Sequence, residues 1–269
     1  TYIIIYMVVI VVIVSLLLSI TSGVLHTRQE DNIRLDTKKQ ILMSLSTFEN
    51  NQEVKCYEDA KAADVYAATI TKYQFINAEG IPVKDLDPVE EFDTVAAEGQ
   101  FPIYTATVNG ETKYILPLTG AGLWGGIRAY LALNEDRNTI YGVYFGHDSE
   151  TPGLGANIVT PRFRQQFVGK QIMRNGALTS IAVMKKGDTA NDKDQVDAIS
   201  GGTITSKGVE TMFATYLANY SAWLSAATPD VKEAADTLNC SGTVDEEDLE
   251  ITPIVINDET VEQNEGGNE

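Results

Sequence analysis

The sequence predicts an α+β protein, with a single N-terminal transmembrane helix followed by an antiparallel-sheet domain and flanking helices. Three observations lead to this fold class. An uncharged segment over residues 2–25 is dominated by Ile, Val and Leu. Strand-like runs joined by turn signals occupy residues 103–145, and helix-like runs follow Pro161 and Ser206. Strands that come first and helices that come later are typical of the α+β class.

The apolar N-terminal segment is long enough to cross a membrane. A spanning helix needs roughly 20 apolar residues, and lipid forces even β-branched residues to pair their backbone within a helix. A cleavable signal peptide is the alternative, but the segment exceeds the usual apolar core of such peptides. We therefore predict an uncleaved anchor over residues 1–25 and a juxtamembrane helix over residues 26–50.

Acidic residues are concentrated at the C-terminal end. The formal net charge is −18. Residues 226–269 hold thirteen acidic residues and one basic residue, so −12 of this charge lies there. We predict an acidic tail that is disordered or loosely docked, in which residues 250–256 could pair as an edge strand. The acidic balance argues against binding to nucleic acid, which needs a basic surface.

The sequence predicts no metal site. The chain has two histidines, His26 and His147, and its cysteines, Cys56 and Cys240, show no metal-ligand spacing. A disulfide between the two cysteines would require an oxidising compartment, and the sequence leaves that question open.

The middle of the chain separates into an extension and a core domain. Residues 51–98 are mixed in character and are assigned as an N-terminal extension of the soluble domain, and residues 99–225 as the core domain. Its clearest element is a hairpin, in which strands over 103–108 and 112–116 flank Asn109-Gly110. Further strands are predicted over 127–133, 139–145 and 181–184, and a short helix over 161–169.

A glycine-containing turn precedes the longest predicted helix of this domain. Ser200, Gly201, Gly202 and Thr203 lead into a run whose apolar residues recur at helical spacing from Val209. Adjacent glycines allow the backbone to approach a ligand, and the N–H groups at a helix start favour an anion, above all a phosphate. A tight turn without a ligand is the alternative. The spacings of a P-loop and of the dinucleotide fingerprint are absent.

Hydroxyl residues crowd the same turn. Ser200, Thr203 and Thr205 all lie within six residues of one another. We expect the side chain of Thr205 or Ser206 to cap the helix, because a hydroxyl there can accept from an orphan backbone N–H.

Two further stretches stand out between the hairpin and this turn. One is a bend at Gly122-Leu123-Trp124, where Trp124 either packs over the turn or lies near a ligand. The other begins at His147 and includes Glu150 and the run from Thr151 to Gly155. By itself, that run is a stiffened turn, in which proline fixes φ and glycine allows positive φ.

These three stretches, in this order, resemble the FMN-binding domains of the sodium-translocating NADH:quinone reductase and of the related Rnf complex. The family motif Asp-x-x-Ser-Gly-Ala-Thr-x-Thr-Ser corresponds to residues 197–206, with Gly202 where the family usually has Ala. In that family, a separate flavin transferase joins FMN through its phosphate to the threonine hydroxyl. The resemblance therefore implies covalent FMN on Thr203, with Thr205 as the less favoured acceptor.

The resemblance also implies roles for neighbouring residues. The run from Thr151 to Gly155 corresponds to the isoalloxazine-binding loop of the family, in which Leu154 covers an apolar face of the ring. His147 is expected to brace the loop, and no catalytic acid–base residue is implied, because electron transfer needs none. The implied cofactor-binding residues are Trp124, Glu150, Thr151, Gly153, Leu154, Lys186, Ser200, Gly201, Gly202, Thr203 and Thr205.

The function implied by the resemblance is one-electron relay within a membrane redox complex. The C subunit of the quinone reductase is favoured, the G subunit of the Rnf complex is the alternative, and a membrane-anchored interaction module without a cofactor is an alternative of another class. The expected partners are subunits that carry flavin and iron–sulfur centres, the flavin transferase and the membrane.

The family resemblance and the basic residues after the span imply opposite orientations for the soluble domain. The resemblance implies a bacterial inner membrane with the soluble domain on its periplasmic side. The basic residues after the span favour a cytoplasmic domain instead, and they are Arg28, Arg34, Lys38 and Lys39. We follow the resemblance.

Overall fold

The computed structural model describes residues 2–49, 52–58, 61–89 and 99–226. The predictions for the acidic tail beyond residue 226, for the edge strand over residues 250–256 and for a disulfide between Cys56 and Cys240 therefore fall outside the described residues.

The chain begins with one long helix, α1 (Tyr2–Met43). Within its segment Tyr2–His26, an 18-residue window has a mean hydropathy of 3.2, and none of that window is buried against the rest of the structure. These 25 residues rise about 37 Å, enough to cross a hydrocarbon core of about 30 Å. The predicted transmembrane and juxtamembrane helices thus form one continuous element.

Helix α1 ends earlier than the sequence predicts. The prediction extends the helix to Asn50, whereas α1 ends at Met43 and is followed by a short strand, β1 (Thr47–Glu49). That strand pairs antiparallel with β2 (Gln52–Val54). The end of the helix tightens into i to i+3 hydrogen bonds, as in the bond from the N–H of Ser44 to the carbonyl of Ile41 at 3.1 Å. The paired strands therefore take the place of the last predicted turns of the helix.

The soluble domain is built on a six-stranded antiparallel sheet. Its strands are β3 (Ile70–Ile76), β4 (Pro82–Lys84), β5 (Phe101–Val108), β6 (Glu111–Ala121), β7 (Gly126–Leu133) and β8 (Ile140–His147). Their order in the sheet is β4-β3-β5-β6-β7-β8. Helix α2 (Ala62–Thr69) leads into β3. Strands β3 and β4 lie within residues 51–98, the region assigned from sequence as an N-terminal extension, so part of that region belongs to the central sheet.

The structure contains the predicted hairpin at Asn109-Gly110. Strands β5 and β6 pair up to Val108 opposite Glu111, so two residues form the turn. Their φ angles are 52° and 84°, and positive φ at both positions is what a type I′ turn requires. The sequence signal and the backbone geometry therefore agree.

Shorter elements follow the sheet. Two 3₁₀ turns, Gly155–Val159 and Gln165–Phe167, flank helix α3 (Pro161–Arg164). A small antiparallel pair, β9 (Met173–Arg174) and β10 (Ala177–Leu178), precedes a parallel pair, β11 (Ile181–Met184) and β12 (Asp194–Asp197). Helices α4 (Thr203–Asn219) and α5 (Ser221–Ser225) end the described chain.

The central sheet separates two apolar cores. Neighbouring residues alternate between them, because successive side chains of a strand point to opposite faces. Leu116 belongs to the core that contains Phe213 of α4, and Ile115 belongs to the core that contains Leu42 of α1 and Tyr66 of α2. The predicted α+β class, with an N-terminal apolar helix and a mostly antiparallel sheet, is confirmed.

Helix α4 lies close against the end of strand β6. A Cβ atom built at Gly208 would overlap the carbonyl oxygen of Ala121, the last residue of that strand. The absence of a side chain at Gly208 thus allows this approach. It brings the start of α4 next to the bend between β6 and β7.

Candidate functional site

A turn that requires glycine precedes helix α4. Gly201 has a φ of +75°, and a Cβ atom built there would lie 2.6 Å from Cδ2 of Leu154. Gly202 is the N-cap residue, and its N–H donates to the carbonyl oxygen of Ile199 at 3.0 Å. Gly201 is therefore needed both for its backbone conformation and for close packing against the loop that carries Leu154.

The predicted hydroxyl cap is wrong. Helix α4 begins at Thr203 with Gly202 as its N-cap, so Thr205 and Ser206 already lie in the first turn, where both are buried. The Ser206 hydroxyl oxygen accepts from the N–H of Ile199 at 3.0 Å. Ser206 therefore ties the preceding loop to the helix, because a partner outside the helix competes successfully for a hydroxyl that could have capped it.

The hydroxyls of Thr203 and Thr205 have different surroundings. Thr205 is only 1% exposed, and its Oγ1 donates to Oε2 of Glu150 at 2.6 Å. Thr203 is exposed, and so is Ile204 between them, at 58%. The first N–H groups of an α-helix have no acceptor within the helix, so an anion held at Thr203 would meet donors and the positive end of the dipole. An external group can reach Thr203 but not Thr205.

The carboxylate of Glu150 connects three segments of the chain. Its Oε1 accepts from the N–H of Trp124 at 2.9 Å, and its Oε2 accepts from Thr205. The N–H of Glu150 itself donates to Nδ1 of His147 at 3.3 Å. Glu150 thus joins the bend after β6 and the start of α4 to the loop after β8, and His147 braces that loop.

Two glycines provide the space that this carboxylate occupies. A Cβ atom at Gly122 would overlap Oε1 of Glu150. A Cβ atom at Gly155 would overlap both Oε2 of Glu150 and Oγ1 of Thr205. Gly122 and Gly155 therefore leave room for the carboxylate of Glu150, a contact that neither motif shows by itself.

The pKa of Glu150 is set by opposing effects. Burial alone would raise the pKa of this carboxyl, because its charged form loses hydration. Hydrogen bonds from the Thr205 hydroxyl and from the N–H groups of Trp124 and Leu123, together with the nearby His147, outweigh burial and hold the pKa below the usual range. Glu150 is therefore a carboxylate at neutral pH.

These segments surround a cavity of about 200 Å³. Its lining comes from the bend, from the loop after β8 and from the start of α4. Among the ten described residues that line it, Glu150 is the one with an ionisable side chain. The ten are Leu123, Glu150, Thr151, Leu154, Gly155, Gly201, Gly202, Thr203, Ile204 and Thr205.

A larger groove of about 650 Å³ adjoins the cavity at Thr203 and Ile204. It runs between α4 and the end of β6. Lys207, one helical turn after Thr203, brings a positive charge to its lining, and its Nζ lies 2.6 Å from Oε2 of Glu210. The remaining lining residues are Thr119, Gly120, Ala121, Gly208, Thr211, Met212, Thr215 and Tyr216. Thr203 thus lies where two open spaces meet.

The structure brings most of the predicted site residues together. Trp124 meets the site through its N–H, while its side chain is 67% exposed. Ser200 and Gly153 are exposed in the adjoining turns, and Gly153 has a φ of +77°. Lys186 is exposed after β11 and is not among the residues that line the cavity or the groove. Seven of the eleven predicted residues line the cavity: Glu150, Thr151, Leu154, Gly201, Gly202, Thr203 and Thr205.

Three residues that line the cavity are missing from the set predicted by sequence, namely Leu123, Gly155 and Ile204, and Lys207 of the adjoining groove is missing as well. Lys207 follows Thr203 by four positions, so helical spacing alone could have identified it. Leu123 and Gly155 lie inside the recognised motifs, yet nothing local distinguishes them from residues that only shape a turn. Ile204 is an apolar residue exposed at a helix start, and its position gives no sequence signal of its own.

The donor set of the site fits a phosphorylated flavin. Helix N–H groups beside the exposed Thr203 hydroxyl suit a phosphate, and Leu123 and Leu154 give the cavity apolar walls that suit an aromatic ring. Across the ranges that the structure describes, there is no group of three or more His, Cys, Asp or Glu residues that could hold a metal ion.

A family model described as FMN-binding domain matches residues 122–218. The match begins at the bend after β6 and ends within α4, so it contains every residue that lines the cavity. This match, with the fold and the site, places this part of the chain in the class of FMN-binding domains.

Comparison with individual proteins extends the similarity over most of the chain. The chain is 39% identical to the C subunit of Na(+)-translocating NADH-quinone reductase from Parabacteroides distasonis, whose crystal structure it matches with a TM-score of 0.66, covering 76% of this chain and 98% of that one. It is 28% identical over 211 residues to the C subunit from Vibrio anguillarum, covering 74% of this chain and 83% of that relative. The chain belongs to the family formed by the C subunits of Na(+)-translocating NADH-quinone reductases.

A more distant structure has the same fold. The crystal structure of NqrC from Shewanella oneidensis is matched with a TM-score of 0.59 at 23% identity, covering 72% of this chain and 97% of that one. The predicted family is confirmed, and these relatives bear the name of the quinone reductase subunit, which the sequence favours over the G subunit of the Rnf complex.

Proposed function

We propose that this chain is an electron-carrying subunit of a membrane-bound Na⁺-translocating NADH:quinone oxidoreductase, and that it holds FMN through a phosphoester to Thr203. The choice of Thr203 rests on the contrast between two hydroxyls in one helical turn. Thr203 is exposed, whereas Thr205 is buried and bound to Glu150.

The surroundings of Thr203 support a phosphate at this position. The residue is the first of a 17-residue helix, whose N-terminal N–H groups and dipole favour an anion. Lys207 lies one turn further along the helix and adds positive charge at the adjoining groove. Gly201 and Gly202 let the backbone come close to the ester.

Residues beyond the attachment point would hold the ring system. Leu123 and Leu154 supply apolar contact from opposite segments, and Thr151 supplies a hydroxyl. Trp124 is exposed beside them, so its indole can cover a ring from the solvent side. Ser200 and Gly153 flank the same site, and Lys186 is retained as a further proposed contact.

The redox chemistry belongs to the cofactor, since FMN when bound accepts and releases single electrons. The residues of this chain attach it, orient it and set its electrostatic environment. Attachment forms a bond between Oγ1 of Thr203 and phosphorus, releases the hydroxyl proton and breaks the bond from phosphorus to a leaving group. The phosphate must therefore be activated, as in a flavin dinucleotide, and a flavin transferase supplies that step.

The proposed assembly and location belong to the same function. The proposed partners are neighbouring subunits that carry flavin and iron–sulfur centres. The segment Tyr2–His26 would anchor the chain in a bacterial inner membrane with the soluble domain on the periplasmic side. A covalent bond suits that side, because a cofactor that dissociated there would be lost to the cell.

Fluorescence of the denatured chain tests this function. The full chain is co-expressed with an active flavin transferase and examined on a denaturing gel under ultraviolet light. Wild type and Thr203→Ser, which keeps a hydroxyl, should fluoresce, and Thr203→Val should not. Thr107→Val, at an exposed position of strand β5 that lines neither the cavity nor the groove, serves as the control and should fluoresce.

Two outcomes would contradict the proposal. Fluorescence that survives in Thr203→Val would move the attachment to another residue. A dark wild-type band beside a fluorescent positive control for the transferase would favour the membrane-anchored interaction module without a cofactor.

A further inference from the structure

We propose that the carboxylate of Glu150 acts as a fixed negative charge beside the flavin and lowers the midpoint potential of the bound cofactor. This inference rests on the proposed function, because it concerns the same site. It assigns Glu150 a role beyond bracing the loop, as a residue that tunes the cofactor electrostatically.

The position of Glu150 supports this role. The residue is 4% exposed, and it lines the cavity. No other residue among the ten described lining residues carries an ionisable side chain. A charge in such a place is screened far less than one at the surface, because the effective dielectric constant of the interior is lower than that of water.

The carboxylate also cannot turn away when the charge of its neighbour changes. Its two oxygens are held separately, by the N–H of Trp124 at 2.9 Å and by the hydroxyl of Thr205 at 2.6 Å. Gly122 and Gly155 close around it, since even a Cβ atom at either position would overlap a carboxylate oxygen. Hydrogen bonds of this kind favour the charged form, so Glu150 stays ionised at neutral pH.

Besides His147, whose Nδ1 accepts from the N–H of Glu150 at 3.3 Å, the positive groups nearby are paired with other carboxylates or only partly offset this charge. Lys207 lines the groove rather than the cavity, and it pairs with Glu210 at 2.6 Å. Arg128 pairs with Asp148 at 2.9 Å, and both of these side chains are about half exposed. The positive end of the α4 dipole faces the same region and is worth a fraction of a charge.

The sign of the effect follows from the charge balance. Reduction adds an electron to the flavin, so the reduced cofactor is repelled more strongly by the carboxylate than the oxidised one. Removing the charge should raise the midpoint potential. The Thr205 hydroxyl donates to the carboxylate and disperses its charge, so removing that donor should lower the potential.

The test is a spectroelectrochemical titration of the flavinylated full chain in detergent. Glu150→Gln keeps the shape of the side chain without its charge, and its midpoint should shift to more positive potential. Thr205→Val should shift to more negative potential, and Thr205→Ser, which keeps the donor, should match the wild type. A purely structural role would loosen the site in both altered variants and move both in the same direction.

Specific results would overturn the inference. A midpoint for Glu150→Gln at or below that of the wild type does so, as does a common direction for Glu150→Gln and Thr205→Val. Should Glu150→Gln fold without taking up flavin, Thr205→Val decides alone, and a midpoint at or above the wild type overturns the inference. Absence of flavin from the wild-type chain would instead refute the proposed function, which the gel detects before any titration.

Discussion

The hydroxyl of Thr205 donates to the carboxylate of Glu150 at 2.6 Å, although 55 residues separate them in the sequence. This bond joins the start of helix α4 to the loop that follows β8. It also distinguishes two threonines of one helical turn, because it buries Thr205 and leaves Thr203 exposed. The geometry of the site depends on this contact.

Replacing Thr205 by valine should reduce the stability of the domain. The substitution leaves a buried carboxylate oxygen without its donor, and such a loss costs about 1.5–3 kcal/mol of unfolding free energy when the partner is charged. Urea unfolding of the full chain in detergent measures the change. Thr211→Val, at an exposed position of the same helix, should change stability by less than about 0.5 kcal/mol. Equal losses in the two variants would contradict the role of the bond.

Glu150 should make stability depend on pH in the acid range. Its pKa in the folded chain lies below the usual value of an unperturbed glutamate, because hydrogen bonds to the carboxylate outweigh its burial. The stabilisation it gives is therefore complete above that value and is lost as the pH falls through the folded-state pKa. Melting temperatures measured from roughly pH 3 to 7 should fall more steeply toward low pH in the wild type than in Glu150→Gln. Parallel curves would argue against a lowered pKa.

Two neighbouring glycines should respond very differently to alanine. At Gly155, a Cβ atom would overlap the oxygens of both Glu150 and Thr205, and we expect Gly155→Ala to cost about 3 kcal/mol or more and to abolish flavin attachment. At Gly202, a Cβ atom would lie 3.1 Å from Cγ2 of Ile199 and 3.3 Å from Cα of Gly155, which small shifts can relieve.

Gly202→Ala introduces the residue that the family usually has at this position. It should therefore change stability by less than about 1 kcal/mol and keep the flavin. Denaturant unfolding and gel fluorescence of both variants check this contrast. Loss of flavin in Gly202→Ala, with Gly155→Ala unaffected, would contradict both the overlap expected at Gly155 and the tolerance expected at Gly202.

Arg164 should be the most costly arginine to replace. It is 1% exposed, and it donates to the carbonyl oxygens of Val143 and Met43, each at 2.7 Å, and to Oε2 of Glu53 at 2.8 Å. Arg164→Met would leave the carboxylate of Glu53 without its buried partner, and breaking such a pair costs about 3–5 kcal/mol. Thermal unfolding of the full chain measures the loss.

The surface ion pair between Arg128 and Asp148 provides a matched control. Its atoms lie 2.9 Å apart, but both side chains are about half exposed. Arg128→Met should cost no more than about 1 kcal/mol, because exposed pairs gain little in water. Similar losses for Arg128→Met and Arg164→Met would mean that the contact between Arg164 and the end of α1 contributes little.

Local signals in the sequence predicted the elements that local physics determines. Asn109-Gly110 requires positive φ at both positions, so it fixes the turn of the hairpin wherever the flanking strands pair. The uncharged run over residues 2–25 predicts a helix from its length and composition alone. The fold class follows from such elements, because their order along the chain limits how they can pack.

Contacts between distant segments could not be read from the sequence in the same way. The parallel pairing of β11 with β12 is not determined by the sequence of either strand alone, and β12 has only four residues, Asp194–Asp197. Thr205 and Ser206 follow a local rule for helix caps, yet Glu150 and the N–H of Ile199 bind their hydroxyls instead. Seven of the ten residues that line the cavity could be named by resemblance, and their division into exposed and buried hydroxyls required the structure.

The most direct test of flavin attachment at Thr203 is the mass of one peptide. The chain is purified from its own host and digested with protease, and the fragment that contains Thr203 is measured and sequenced by mass spectrometry. We predict that this fragment carries the added mass of FMN in phosphoester linkage, with fragment ions that place it on Thr203. A fragment of unmodified mass, or an added mass located on Thr205, would contradict the proposed attachment.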